Sequence, residues 1–157
     1  DYLDHVDQIH LNWTPSLNVS QSSTLEEISN LAILSLDEEI EFFWSDWLKP
    51  KDKLLVLRIA YPSVSGWVSD CNSAADEACY PLASFTEPGV EIPDIETGFS
   101  EQALVYQALI SSAVKKSWVS GIISRGYYAP VILHDKSISI HGKPAEDVLR
   151  QWFMNLR

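Results

Sequence analysis

Three apolar, strand-like segments alternate with three amphipathic, helix-like segments along this chain, and that order predicts an α/β fold. The middle strand segment, residues 53–61, is a nearly continuous apolar run, which is typical of a strand buried in a parallel sheet. With 157 residues, 46% of them hydrophobic, the chain can bury one sizeable core. We therefore expect parallel βα units with right-handed crossovers.

The first βα unit covers the first third of the chain. Apolar side chains alternate over residues 5–13, which indicates a strand. Thr24 and Glu27 have the spacing of a capping box, so a helix is expected to begin after Thr24. Apolar residues then recur near helical spacing as far as Trp47, and Pro50 stops the helix.

The second unit begins with the apolar strand at residues 53–61. It continues through a long irregular segment, residues 62–99, which contains both cysteines and four of the eight prolines. A loop of this length usually has a functional or decorative role. Ser100 is expected to cap the second helix, which runs toward Lys116.

The third unit closes the chain. Residues 118–124 form the third predicted strand, residues 125–142 form a loop, and residues 144–155 form the last helix. Pro144 suits the first turn of that helix, because its fixed φ is helical and its missing N–H is not needed there.

Three strands are too few for a doubly covered sheet to be stable alone. We therefore expect residues 1–157 to be a single α/β domain that forms the last three strands and helices of a (β/α)8 barrel, or a partial barrel. On this interpretation the natural chain begins upstream of Asp1. A small three-stranded α/β layer and an oligomer that completes the sheet are the alternatives.

Composition excludes several function classes. The formal charge of −11 leaves no basic footprint for nucleic acid. No apolar run reaches the roughly 18 residues that a membrane span needs. The four histidines lack a paired metal-ligand spacing, and the six glycines form no phosphate loop, so we predict neither a metal nor a cofactor.

The cysteines and two sequons favour an extracellular or cell-surface protein. Cys71 and Cys79 lie eight positions apart in a polar loop and could close a small disulfide ring. Asn12 and Asn18 each begin an Asn-x-Ser/Thr sequon and are candidate glycosylation sites. Two free thiols and chance sequons are the alternative.

The candidate ligand-binding residues follow the strands, because parallel α/β folds gather their sites at the carboxyl ends of strands. Aromatic side chains stack on the apolar faces of sugar rings, while charged groups hydrogen-bond to hydroxyls. Aromatic residues near strand ends can also be core edges. The predicted ligand-binding set consists of Trp13, Arg58, Tyr61, Trp67, Arg125, Tyr127 and Tyr128.

Several short segments resemble the closing part of TIM-barrel glycoside-hydrolase-like proteins. They are residues 61–66, the loop between the two cysteines, and residues 124–128, 135–137 and 141–145. The resemblance extends from about residue 54 to residue 153. It implies a carbohydrate-active barrel whose partner is an oligosaccharide or a polysaccharide.

The resemblance leaves catalytic activity uncertain. Retaining glycosidases use two carboxylates about 5 Å apart. The resemblance places a nucleophilic Glu at the end of the second-last strand, where this chain has Arg58, and a guanidinium cannot attack an anomeric carbon. Asp135 is the best substitute in sequence, because Arg125, His134 and Lys136 are near and would keep it ionised. A solvated Asp135–Lys136 surface pair is the alternative.

Two classes of function follow. One is a carbohydrate-active protein that acts on or binds an extracellular glycan. The other is a non-catalytic extracellular or structural subunit of a larger assembly on the same scaffold. A protein partner would contact the broadly apolar end of the first helix, which contains Phe42, Phe43, Trp44 and Trp47.

Overall fold

The computed structural model of the protein describes residues 2–17, 19–20, 22–67, 80–129, 131–132 and 134–155. Strands and helices alternate as the sequence predicts. In chain order they are β1 (Gln8–Trp13), α1 (Leu25–Ser35), α2 (Glu41–Phe43), β2 (Leu54–Ile59), α3 (Phe99–Ala113), β3 (Val119–Ser124) and α4 (Pro144–Asn155).

The three strands form one parallel sheet in the order β1-β2-β3, so the predicted α/β class is confirmed. In the register, Asn12 of β1 lies beside Arg58 of β2, and Arg58 lies beside Ile123 of β3. β1 begins later than predicted, because Tyr2–His5 form a turn of 3-10 helix.

One face of the sheet is covered by helices. On β2, Leu55, Leu57 and Ile59 have no exposed surface, and on β1 the alternate residues Ile9, Leu11 and Trp13 pack into the same core. α3 lies between α1 and α4 and contacts both. The covered face therefore contains the hydrophobic core, and it encloses the alternate residues of the two strands.

The opposite side of the sheet is called the open face here. Its β1 side chains are all exposed, Leu54 is 51% exposed and Ile123 is 39% exposed. Arg58 is half-buried, and Val56 is the most buried side chain of the set, at 7% exposure. The open face consists of Gln8, His10, Asn12, Leu54, Val56, Arg58, Gly121 and Ile123.

The first helical segment begins with the predicted capping box. The Glu27 backbone N–H donates to Thr24 Oγ1 at 3.3 Å, and the Thr24 N–H donates to Glu27 Oε2 at 2.8 Å. α1 then continues into a π turn (Leu36–Ile40), α2, a second π turn (Trp44–Leu48) and a 3-10 turn (Lys49–Lys51). The predicted long helical segment is therefore present, but two π turns interrupt its α-helical geometry.

The second predicted helix begins earlier than expected and has a different N-cap residue. α3 begins at Phe99, and its N-cap residue is Gly98, so Ser100 lies inside the first turn and does not cap it. Gly98 is required there because an added Cβ would lie 2.5 Å from the Val64 carbonyl oxygen. The backbone of the segment after β2 therefore presses directly against the start of α3.

α4 begins at Pro144 and ends at Asn155, as predicted. Among the described residues, no helix has both the length and the apolar character needed to cross a membrane. Residues 68–79, which include Cys71 and Cys79, lie outside the described residues, and so does Asn18. The disulfide and glycosylation at Asn12 and Asn18 stay predictions.

Candidate ligand-binding site at the carboxyl ends of the strands

The parallel order brings the carboxyl ends of all three strands to one edge of the sheet. Asn12, Arg58 and Ile123 form the last complete row of the open face. The Arg125 N–H donates to the Ile59 carbonyl oxygen at 2.8 Å, so β3 continues to pair beyond Ser124. Two of the predicted ligand-binding residues, Arg58 and Arg125, are thereby brought to neighbouring positions.

Arg125 lies at the junction of the sheet and the core. Ser124 faces the helices, since its hydroxyl lies 3.1 Å from the Tyr106 hydroxyl, and Arg125 is the first residue after β3. Burial raises the pKa of Tyr106 to about 12, and the nearby positive charge of Arg125 acts in the opposite direction. The guanidinium is therefore close to the end of β3.

Two exposed tyrosines stand at the same edge. Tyr127 is 61% exposed and Tyr128 is 38% exposed. The Tyr127 ring stacks on His141 with centroids 4.5 Å apart and an interplanar angle of 28°. His141 Nδ1 lies 2.8 Å from the Tyr128 carbonyl oxygen, which fixes the imidazole. We call Tyr127, Tyr128 and His141 the aromatic platform.

Glu146 supports the aromatic platform from the first turn of α4. The Gly142 N–H donates to Glu146 Oε2 at 2.8 Å, and the Tyr127 hydroxyl donates to Oε1 at 3.3 Å. The Gly142 amide is the main reason that the pKa of Glu146 lies below its usual range, with a smaller contribution from Tyr127. The platform is therefore held by hydrogen bonds, while its outer ring surface stays exposed.

Three of the predicted ligand-binding aromatics lie in the core. Trp13 is 2% exposed, Tyr61 is 1% exposed and Trp67 is 5% exposed. Each donates a hydrogen bond inside the protein: Trp13 to Ser35 Oγ at 3.1 Å, Tyr61 to the Trp67 carbonyl at 3.4 Å, and Trp67 to the Tyr80 carbonyl at 3.0 Å. In this structure their rings are part of the hydrophobic core.

Asp135 lies in a buried polar cluster with Ser63, Ser137 and Lys143. Its Oδ2 atom is 2.9 Å from Lys143 Nζ, and both side chains are 4% exposed. Lys143 Nζ also donates to Ser63 Oγ at 2.8 Å, and Ser63 Oγ donates to the Asp135 carbonyl at 2.7 Å. The Asp135 carboxylate is thus enclosed by protein partners.

The ionisation of Asp135 has a different cause from the one the sequence suggested. Burial favours the neutral acid, but hydrogen bonds from Lys143 and Ser137 together outweigh burial and hold the pKa of Asp135 below its usual range. Lys136, the neighbour in sequence, instead donates to the Ile92 carbonyl at 2.5 Å. The surface pair of Asp135 with Lys136 is therefore not formed.

Lys143 and Gln102 were missed by sequence reasoning. Burial lowers the pKa of Lys143, and the hydrogen bond and charge of Asp135 oppose that effect. Gln102 has no exposed surface, and its Nε2 donates to the Tyr61 carbonyl at 2.8 Å. Neither residue stands in a recognisable motif. A lysine just before a helix-initiating proline is typically exposed to solvent. The burial of Lys143 follows only from the fold.

A shallow depression of about 290 Å³ lies at the start of α3, lined by Ser65, Gly98 and Glu101 among others. Glu101 accepts hydrogen bonds from Ser65 Oγ at 2.5 Å and from the Gly66 N–H at 2.8 Å. Its carboxylate therefore tethers the segment after β2. Within the described ranges, no group of three His, Cys, Asp or Glu side chains converges as a metal site would require.

The predicted apolar patch on the first helix is divided by the fold. Trp44 stacks on Trp118 with centroids 5.8 Å apart, and Phe43 packs against the core. Phe42 is 65% exposed and Trp47 is 55% exposed. Only the latter two side chains therefore present most of their surface to solvent.

No protein-family model matches the sequence, and neither does any curated protein. Solved structures do match the fold. A GH113 β-1,4-mannanase complex aligns with 98% of this chain at a TM-score of 0.56 and 21% identity, and the chain covers 40% of it. The GH113 β-mannanase AaManA from Alicyclobacillus acidocaldarius, in complex with ManMIm, aligns at a TM-score of 0.54 and 21% identity.

This chain covers 41% of the latter enzyme, while the alignment includes all of the present chain. The chain thus spans about two fifths of the length of these structures. Identity of this order supports a shared fold alone. The protein therefore has the fold of part of a TIM-barrel glycoside hydrolase, as predicted from its sequence.

Proposed function

We propose that this chain is the glycan-binding part of a secreted, TIM-barrel-like protein related in fold to glycoside hydrolases. One observation carries the proposal: the exposed open face ends in Asn12 and Arg58, next to the exposed aromatic platform. This is the edge at which (β/α)8 barrels bind their ligands. The proposal of export depends only on the two sequons and the two cysteines.

The chemistry of the edge suits a sugar. The rings of Tyr127 and Tyr128 offer flat apolar surface for the C–H face of a pyranose. Arg58 offers hydrogen bonds to hydroxyl groups at the end of the sheet. The AaManA structure is a complex with ManMIm, and a β-1,4-linked manno-oligosaccharide is therefore the first ligand to try.

Binding without hydrolysis is favoured for this part of the protein. The open face carries no carboxylate, since Arg58 ends its middle strand, and Asp135 is enclosed by Lys143 and Ser137. A double-displacement mechanism needs two carboxylates at the anomeric carbon. If the whole protein hydrolyses a glycan, neither carboxylate comes from the open-face residues or from Asp135.

The test is calorimetric titration of the intact natural polypeptide with a manno-oligosaccharide. Tyr127→Ala should weaken binding by about 1–3 kcal/mol, which is the scale of burying one aromatic side chain. Tyr2→Ala is the matched control, because Tyr2 is 73% exposed and precedes β1 at the opposite end of the strand. An equal affinity for both variants and the parent protein would contradict the proposal.

The alternative, a subunit of a larger assembly, is supported by the exposure of Phe42 and Trp47. Trp47→Glu should then dissociate the assembly in sedimentation velocity. Met154→Glu is the control, since Met154 is 67% exposed on α4. Trp44 is unsuitable for this test because it stacks on Trp118. A sedimentation profile unchanged by Trp47→Glu would count against the assembly.

A further inference from the structure

We propose that the carboxyl edge of the sheet selects an anionic glycan, one whose sugar units carry a carboxylate, through the guanidinium groups of Arg58 and Arg125. The inference rests on the proposed glycan-binding function and specifies its ligand. The recognised group is the C6 carboxylate of a uronic acid unit.

Arg58 occupies the middle of the site. It ends the central strand, and its neighbours in the row are the neutral side chains of Asn12 and Ile123. Arg58 is half-buried, whereas Asn12 is exposed and Ile123 is 39% exposed. A positive charge thus lies on an accessible surface between two groups that cannot neutralise it.

Several other cationic side chains form ion pairs with carboxylates of the protein. Lys51 pairs with Asp4 at 2.9 Å, Lys143 with Asp135 at 2.9 Å, and Lys116 and Arg150 also contact carboxylates. Among the described residues, no ion pair is formed by Arg58 or Arg125. The chain has 22 acidic and 11 basic residues, so carboxylates are abundant, yet no carboxylate in the described ranges lies within ion-pair distance of these two guanidinium groups.

The two arginines act at one edge. Arg125 pairs with the end of β2 through its backbone N–H, one position beyond the row of Arg58. The aromatic platform follows directly at Tyr127 and Tyr128. A sugar ring stacked on the platform would therefore lie beside fixed positive charge.

A carboxylate fits this arrangement better than a hydroxyl does. The planar guanidinium fork matches the two carboxylate oxygens, and hydrogen bonds between charged partners are about twice as strong as neutral ones. A neutral sugar would desolvate the arginines and leave their charge without a counter-ion. The open face is therefore suited to an acidic sugar more than to a neutral one.

The experiment compares two ligands that share one skeleton. β-1,4-linked oligomannuronate and β-1,4-linked manno-oligosaccharide of equal length differ only at C6, which is a carboxylate in the first and a hydroxymethyl group in the second. Both are titrated into the intact natural polypeptide at low and at high NaCl concentration. Sodium acetate and sodium sulfate are titrated separately as simple oxyanions.

We expect oligomannuronate to bind about tenfold more tightly or better, the scale of one charge-assisted hydrogen bond. The preference should decrease at high salt because the contact is electrostatic. Arg58→Gln should remove it, and Arg58→Lys should restore only part of it, since a lysine lacks the fork. Arg150→Gln is the matched control, because Arg150 pairs with Asp147 on the outer surface of α4.

The outcomes separate the two proposals. Equal affinity for both oligosaccharides, unchanged by Arg58→Gln, would overturn the anionic preference and leave the glycan-binding function intact. Binding of neither oligosaccharide would overturn both proposals. Binding of oligomannuronate no tighter than acetate or sulfate would reduce the site to a simple oxyanion site and overturn this inference. Far-UV circular dichroism and thermal melting of each variant show whether it is folded.

Discussion

The two faces of the sheet differ in exposure and polarity, although the same three strands form both. On the covered face, Leu55, Leu57 and Ile59 are fully enclosed by helices. On the open face, the residues that alternate with them include Arg58. All-parallel sheets ordinarily have both faces covered. The exposed and partly polar face is thus the one that would line the interior of a barrel, and its last row lies at the edge where barrels bind ligands.

Two cations near the carboxyl ends of the strands, Lys143 and Arg58, differ in their surroundings. Lys143 is enclosed, and its ammonium group contacts Asp135 and Ser63. Arg58 lies on the open face beside neutral neighbours. A cation whose contacts are all internal stabilises the fold, whereas one without a protein counter-ion is available to a ligand.

Lys143→Met should have the largest effect on stability. It leaves the Asp135 carboxylate buried without its counter-ion, and removing one partner of a buried pair costs about 3–5 kcal/mol. Urea denaturation gives the change in the free energy of unfolding. Lys116→Met is the matched control, because Lys116 pairs with Asp37 and Glu41 at the surface and should change stability by about 1 kcal/mol or less.

The double variant Lys143→Met with Asp135→Asn sharpens this result. Removing the second charge should recover part of the lost stability, because no unpaired ion is then left in the cluster. If Lys143→Met is no more destabilising than Lys116→Met, the cluster is not a structural ion pair and the proposed division of the two cations fails.

Neighbouring residues on the two faces provide the second test. Leu57→Ala removes a fully buried side chain and should cost about 2–5 kcal/mol. Ile123→Ala, on the open face of the adjacent strand, removes a side chain that is 39% exposed and should cost clearly less. Thermal melting and urea denaturation compare the pair. Equal losses would contradict the difference in burial between Leu57 and Ile123.

Acid should lower the free energy of unfolding through the titration of Asp135. Because the folded-state pKa of Asp135 is lowered, the unfolded state binds more protons in acid, and stability is lost as pH falls from the ordinary value of 3.8 through the folded-state pKa. Asp135→Asn lacks this titration. The melting temperatures of the parent protein and Asp135→Asn should therefore converge below pH 3.8, and a constant difference down to pH 2 would contradict the assignment.

Much of the fold could be predicted because its signals are local. The capping box at Thr24, the apolar run of β2 and Pro144 at the start of α4 each need only a few consecutive residues. The N-cap of α3 was wrongly predicted at Ser100. The need for Gly98 comes from the Val64 backbone, which lies far away in sequence, and no local pattern records that contact.

The site was less predictable for the same reason. Strand order located Arg58 and Arg125 at one edge, but it could not separate the exposed Tyr127 from the buried Trp67. Exposure depends on which loop covers a strand end. The partner of Asp135 was also unpredictable, because Lys143 approaches it from across a loop while Lys136 is adjacent in the chain.

The two π turns of the first helical segment affect which of its side chains can point inward. Its inward positions recur every four residues, at Ile28, Ala32, Leu36, Ile40, Trp44 and Leu48. In an α-helix of 3.6 residues per turn, that spacing would rotate the contact line by roughly 40° at each step. The wider π turns reduce this drift, so these side chains stay on the inward side of the segment. In this chain, an apolar period of four residues therefore accompanies a helical segment that contains two π turns.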